Sequence, residues 1–165
     1  MKLYLCETPL GWIGLLRSPR GLRASTCPTA SREDALGELV PWGAADVAPA
    51  TELGDLGQRL LDYARGRPVL FDDPLDLDGA TPFQQAAWLA ARRIPWGETR
   101  SYAWLAQAIG RPTAARAVGQ AMARNRLPII VPCHRVIASG GGLGGYSGGT
   151  SMKEMLLRLE GALPV

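Results

Sequence analysis

Along the first eighty residues the apolar positions change period. "KLYLCETPLGWIGLLRS", residues 2–18, holds two apolar stretches on either side of a Pro-Leu-Gly turn, and "GLRAST" (21–26) is a third of the same kind. Short runs bounded by Gly and Pro predict β-strands joined by tight turns. From "SREDALGELV" onward the apolar residues move to helical spacing, most plainly at Leu53, Leu56, Leu60, Leu61 and Ala64 of "ELGDLGQRLLDYARG". "RPVLFDDPLDLDGA" (67–80) ends the pattern with Pro and Asp and predicts a linker laid over the surface. A small antiparallel sheet plus helices, an α/β N-terminal lobe over residues 1–80, is the expected outcome.

The second half reads as mostly helical, a C-terminal lobe over 81–165. "ATPFQQAAWLAARRIPWGE" opens with Thr81 as cap, Pro82 at the first helical position and Gln84 three residues after the cap, a capping box. "SYAWLAQAIG" and "RPTAARAVGQAMARN" are two short helices split by Gly110 and Pro112, the form of a helix-turn-helix. Leu105, Ile109 and Val118 are expected to face its core, although helix pairs of this kind also occur in proteins that never touch DNA. In the last helix, "TSMKEMLLRLEGA", Ser151 and Glu154 have capping-box spacing.

Charge separates the halves more sharply than pattern does. Residues 1–80 hold 8 Lys+Arg against 12 Asp+Glu, and residues 81–165 hold 10 against 3. Nine of those ten cations are arginines, which grip phosphate oxygens in pairs, so the second half suits a polyanion. A GC-rich genome, which favours Arg over Lys, would give the same composition. No apolar run is long enough to span a bilayer, and Glu7 and Pro9 interrupt any signal-peptide core, so a cytoplasmic protein with no membrane partner is expected. Three cysteines without CxxC spacing and one histidine support neither a disulfide framework nor a metal site.

That one histidine, His134, directly follows Cys133 in "IIVPCHRVIASGG" (129–141). A cysteine behind an apolar run is ordinarily a small buried hydrophobe, and Cys6 and Cys27 fit that description. Cys133 differs because ionisable side chains can reach it, and a thiolate is the nucleophilic form. Neighbours in an extended segment point to opposite sides, so direct Cys–His contact requires a turn at Pro132–Cys133, or else a bridging water. Glu160 falls in the last helical turn, where the macrodipole disfavours an anion by about 0.3–1 kcal/mol. A partner such as His134 would explain its place. "ASGGGLGGYSGG" (138–149) lacks the GK[ST] of a phosphate loop, but its glycines let backbone approach a ligand closely, with Tyr146 and Ser147 as possible contacts.

Taken in order, "TPFQQAAW", "IPWGETRSYAWLA", "AARAVGQAM", "PIIVPCHRV" and "GGYSGG" followed by "KEMLLRLEGA" closely resemble the O6-alkylguanine-DNA alkyltransferases, from "TPLGW" near the start to "LEGA" near the end. The resemblance implies single-turnover transfer of an alkyl group from guanine O6 in double-stranded DNA to Cys133, without cofactor. It implies that Glu160 orients His134, that His134 acts on Cys133 through a water, and that Asn125 braces the turn. Tyr102 is expected to bond guanine N3, Ser147 its O6 side, and the carbonyls of Cys133 and Val136 its amine, with Tyr146 lining the pocket. The helix-turn-helix is expected in the minor groove, with Arg116 filling the stack left by the flipped base. Ala114, Ala115, Ala117 and Gly119 would allow close approach, and Arg124 and Arg135 would add DNA contacts. A monomer is expected, with cooperation along DNA and activity on O4-alkylthymine left open. Two departures stand out: Arg126 follows Asn125 where the family often has proline, and Trp96 stands where Tyr or Phe is common. With no second histidine, the N-terminal zinc site of some members is not expected. Related proteins that only bind lesions lack the acceptor cysteine. A DNA-binding regulator would leave Cys133, His134 and Glu160 without a role, and a cysteine hydrolase would need a direct Cys–His pair.

Overall fold

Residues 2–25 form three antiparallel strands, β1 (Lys2–Thr8), β2 (Gly11–Ser18) and β3 (Gly21–Ser25), in a computed structural model that describes residues 1–144 and 149–163. The β1–β2 register runs from Lys2 opposite Arg17 to Thr8 opposite Gly11. Its tight turn holds because Thr8 donates its hydroxyl to the Gly11 carbonyl at 2.7 Å. Gly11, at φ 130°, lies where a Cβ would strike the Thr29 carbonyl oxygen.

A fourth strand departs from the expected antiparallel sheet. The two-residue β4 (Asp46–Val47) runs parallel to β1, giving the mixed order β3-β2-β1-β4. The connection through α1 (Arg32–Leu39) supplies the crossover that parallel pairing requires. Ser31 caps α1 at the Asp34 amide, and Leu3, Leu16, Ala24 and Leu39 form the core between sheet and helix. α2 (Asp55–Ala64) buries Leu56, Leu60, Tyr63 and Ala64.

The 67–80 stretch is no loose linker. The Leu22 amide donates to the Pro74 carbonyl at 2.9 Å, the Asp76 amide returns to Leu22 at 2.8 Å, and Phe71 is buried. Two of its aspartates, Asp73 and Asp76, pair with arginines of the same unit rather than standing in solvent. Arg59 grips Asp73 with both terminal nitrogens, at 2.8 and 2.9 Å, and Asp76 accepts from Ser18 at 2.6 Å. The chain divides into two compact units, Met1–Asp78 and Gly79–Val165.

In the second unit α3 (Pro82–Ala91) starts at the full Thr81–Gln84 capping box. Trp88, on its buried face, donates its indole N–H to the Ala121 carbonyl of α5 (Ala115–Ala123) at 2.9 Å. α4 (Tyr102–Ala108) and α5 form the helix-turn-helix, turned at Gly110 with φ 76°. A parallel pair, β5 (Arg100–Ser101) with β6 (Val136–Ile137), sets Arg100 opposite Val136 and Ser101 opposite Ile137. Ser101 also caps α4, so the first residue of that helix is held beside the strand that follows Cys133.

α6 (Thr150–Leu159) does not use the expected capping box. Its N-cap is Gly149, Ser151 lies inside the helix, and Glu154 pairs forward with Arg158 at 2.6 Å. The helix begins at Thr150, one residue before Ser151, so Ser151 is not at the cap position. Its buried stripe is Lys153, Leu156, Leu157 and, at the C-cap, Glu160, the i, i+3, i+4, i+7 pattern of a core-facing helix. Two of those four positions are charged. No helix among the described residues is long and apolar enough to cross a membrane.

Candidate active site

Between α5 and β6 the chain makes a turn that one amide side chain holds together. Asn125 Oδ1 accepts from the Leu127 amide at 3.0 Å, and its Nδ2 donates to the Val131 carbonyl and to Cys133 Sγ, both at 3.0 Å. Within this turn the Val131 amide bonds the Leu127 carbonyl at 2.8 Å, and Ile129 adopts φ 72°. That conformation costs a β-branched residue roughly 1–2 kcal/mol, so the buried hydrogen bonds around it must hold it in place. Arg126, in the position where proline is common, is buried with its guanidinium 5.9 Å from the Trp88 ring centre, an arrangement that absorbs the departure.

Cys133, His134 and Arg135 then form one short helical turn, closed by the Arg135 amide to the Pro132 carbonyl at 3.0 Å. The segment is therefore not extended at the Cys–His pair. Cys133 and His134 are both fully buried. A thiol sulfur accepting an amide N–H is favoured as thiolate, because the bond strengthens with charge.

His134 Nε2 lies 2.6 Å from Glu160 Oε2. Arg135 reaches the same carboxylate, Nε to Oε1 at 2.7 Å and Nη2 to Oε2 at 3.2 Å, and its Nη1 donates to the Ile94 carbonyl at 2.7 Å. Burial alone would raise the Glu160 pKa, but hydrogen bonds and charge from His134 and Arg135 bring it down to about 2. For His134, burial is the largest influence and lowers the pKa, and together with Arg135 and Lys153 it outweighs the pull of Glu160. The cluster is thus an Arg135–Glu160 ion pair with a neutral imidazole on its edge. An ionised carboxylate only accepts, so Nε2 carries the proton and Nδ1 presents its lone pair.

Arg135 was expected at the DNA surface and is not there. It is buried and all its reach is spent on Glu160 and Ile94. The helix-end cost of about 0.3–1 kcal/mol at Glu160 is small beside charged hydrogen bonds of roughly 1.5–3 kcal/mol each.

Lys153 is the residue that sequence reasoning missed. It is fully buried, donates to the Val136 carbonyl at 2.6 Å, and its Nζ lies 3.4 Å from Tyr102 Oη. Burial lowers its pKa to about 8, against the pull of Cys133. The signal was available: a lysine on the core stripe of an amphipathic helix, seven residues before Glu160 on the same stripe. Tyr102 is raised by burial and then by Cys133, which keeps its hydroxyl a proton donor. Gly144, at φ 71°, packs so closely on Tyr102 Oη that a Cβ there would collide with it. The Val136 carbonyl accepts from Lys153, which leaves one lone pair for any further donor.

On the helix-turn-helix, Arg116, Ala117 and Arg124 are exposed, while Ala114 and Ala115 are half-buried. Gly119 faces inward, 3.9 Å from the Tyr102 ring for an ideal Cβ. Tyr146 and Ser147 lie outside the described residues. Cys6 and Cys27 are buried in the first unit. Among the described residues no group of three or more His, Cys, Asp or Glu is placed to hold a metal ion.

Known proteins resemble this arrangement. A family model described as 6-O-methylguanine DNA methyltransferase, DNA binding domain, matches residues 82–162. A methylated-DNA–protein-cysteine methyltransferase of Salmonella typhimurium is 49% identical over 114 residues, 69% of this chain and 67% of the relative. The constitutive protein of that name from Bacillus subtilis is 52% identical over 109 residues, 66% of each chain. Mycobacterium tuberculosis OGT, solved in complex with DNA, superposes with a TM-score of 0.80 at 39% identity, covering 98% of this chain and 94% of that one.

Proposed function

Because the chain belongs to the 6-O-methylguanine DNA methyltransferase family, we propose that it repairs DNA by moving the alkyl group from guanine O6 onto its own Cys133. It is a methylated-DNA–protein-cysteine methyltransferase, and double-stranded DNA carrying O6-alkylguanine is its substrate. The observation that carries the assignment to Cys133 is the Asn125 Nδ2 contact with Sγ, on a turn whose next residue is the His134 of the Glu160 cluster.

The thiol proton passes through a water to Nδ1 of neutral His134, and the resulting imidazolium is stabilised by Glu160. The thiolate attacks the alkyl carbon, the S–C bond forms as C–O6 breaks, and the electron pair is left on guanine. Tyr102 donates its hydroxyl proton toward guanine N3, with Lys153 beside the phenol oxygen to stabilise the charge this leaves. No group in the cluster removes an alkyl group from a thioether, so each molecule acts once.

A fully buried Cys133 cannot reach a base within a duplex, so the nucleotide must be extruded. Arg116 and Ala117 at the exposed start of α5 suit entry from the minor groove, Arg116 occupying the vacated stack, and Arg124 suits a phosphate. A cytoplasmic or nucleoid location follows from the substrate.

Intact-protein mass spectrometry with peptide mapping, after incubation with an O6-methylguanine duplex, tests the assignment. The expected result is one methyl group per molecule, on Cys133, and none in Cys133→Ser. Selective lesion binding without any gain would instead make the protein a lesion-binding module.

A further inference from the structure

We propose that Arg135 is a positioning residue of the transfer site: its guanidinium fork holds the Glu160 carboxylate in the orientation and charge state that keep His134 able to take up the thiol proton. The inference rests on the reading of Cys133 as alkyl acceptor and adds a fourth member to its relay.

The geometry is specific. Arg135 makes two contacts to one carboxylate and a third to a main-chain carbonyl of the segment after α3, so the fork cannot rotate without breaking a buried hydrogen bond. Glu160 Oε2 is shared between Arg135 Nη2 and His134 Nε2. A shared oxygen forces a choice about where positive charge resides. Without Arg135 only burial and Lys153 would oppose the pull of Glu160, and the ring would take up a proton more readily as imidazolium. An imidazolium at rest has no lone pair to offer. With Arg135 already matching the carboxylate charge, the ring stays neutral until Cys133 gives up its proton. Glu160 then stabilises the imidazolium as it forms.

The sign of the pH effect follows from charge. The groups acting on His134 are Glu160 and Lys153 from α6 and its C-cap and Arg135 from its own turn, while Tyr102 of α4 and Cys133 reach the cluster through Lys153. Removing a cation from such a cluster makes every remaining site bind its proton more tightly. The acid limb of the transfer rate, where the cluster holds one proton too many, must therefore move to higher pH. A DNA-contact role would leave reaction with free base untouched. A purely structural role would lower the rate without moving the limb.

Two readouts test this. The first is the rate of Cys133 alkylation by free O6-benzylguanine between pH 5.5 and 9, by intact mass, in wild type, Arg135→Gln and Arg135→Lys. Arg135→Gln is expected to move the acid limb up by about one pH unit, close to tenfold in rate at its foot, and Arg135→Lys to restore most of that position. An unmoved limb in both variants would overturn the proposal, as would a defect confined to duplex substrate. The second readout needs no variant. The sequence holds one histidine, so isotope-labelled protein without an affinity tag gives one imidazole signal in NMR. A neutral ring protonated at Nε2 is expected at pH 7, and an imidazolium there would overturn the proposal even if no variant folds. Should wild type fail to gain an alkyl group, the transfer reading falls, while the histidine signal still reports on Arg135.

Discussion

Two arginines in this molecule make nearly the same bond and have different consequences. Arg59 in the first unit forks onto Asp73 at 2.8 and 2.9 Å, and its guanidinium lies 5.7 Å from the Phe71 ring centre. Arg135 in the second unit forks onto Glu160 at 2.7 and 3.2 Å. The Arg59 pair keeps contact with solvent, with side chains 19% and 16% exposed, whereas those of Arg135 and Glu160 are 9% and 0% exposed. The third partner differs too. Against Phe71 the pair fastens a surface segment and its charge goes nowhere. Against His134 the same pair is proposed to set the protonation of the ring that takes the thiol proton. An ion pair becomes chemistry when burial removes its screening and a titratable group shares its oxygen.

Deleting one carboxylate from each pair should separate the two roles most strongly. Glu160→Ala leaves Arg135 buried without its counter-ion and is expected to cost about 3–5 kcal/mol, seen in urea unfolding, together with loss of alkyl transfer. Asn125→Ala acts on the chemistry more than on the fold. Losing a donor to a developing thiolate is worth roughly 1.5–3 kcal/mol, so transfer to free O6-benzylguanine should slow about tenfold to a hundredfold. Asp73→Asn removes the partly exposed pair and should cost about 1 kcal/mol or less, with the transfer rate unchanged. A transfer defect as large as that of Glu160→Ala would mean that the two pairs are not different in kind.

Acid sharpens the contrast further. Glu160 has a native pKa below its unfolded value, so its stabilisation is complete above the ordinary carboxylate range and is lost as pH falls toward 2. His134 is also lowered in the native state, so its contribution is complete above the ordinary imidazole range near 6.5 and falls away below it. The first unit has no histidine. Hydrogen exchange should therefore show the second unit loosening first as pH drops below about 6.5. The smallest expected effect is at the surface. Arg116→Ala should slow repair in duplex more than reaction with free base, and equal slowing would remove Arg116 from the stacking role.

Strands β1–β3, the Thr81 capping box and the Gly110 turn were legible because each has a local signature: short apolar runs, a cap at fixed spacing, a positive φ that suits glycine. β4 was not, since two exposed residues carry no alternation and their pairing is decided by a crossover. The cluster was legible in Cys133 and His134, through the PCHRV run, and in the Glu160 that contacts the histidine, through its awkward place at a helix end. Arg135 was misplaced because an arginine in a basic half looks like every other surface cation, and burial of its fork depends on contacts from α6 and the segment after α3. Lys153 was hidden by the same habit of reading charge as surface, although its spacing to Leu156, Leu157 and Glu160 marked it as inward-facing.

The β5–β6 pair described above has a consequence of a different sort. Its two rungs join the residues just before 102 to those just after 135, so the reading helices and the nucleophile turn form one loop closed at its neck. Two short rungs fixing the ends make added length cheap in loop-closure entropy, but only where the enclosed chain is exposed, as at residues 111–113. Where Ala121 meets Trp88 and Arg135 meets Glu160 the segment belongs to the core and admits no insertion.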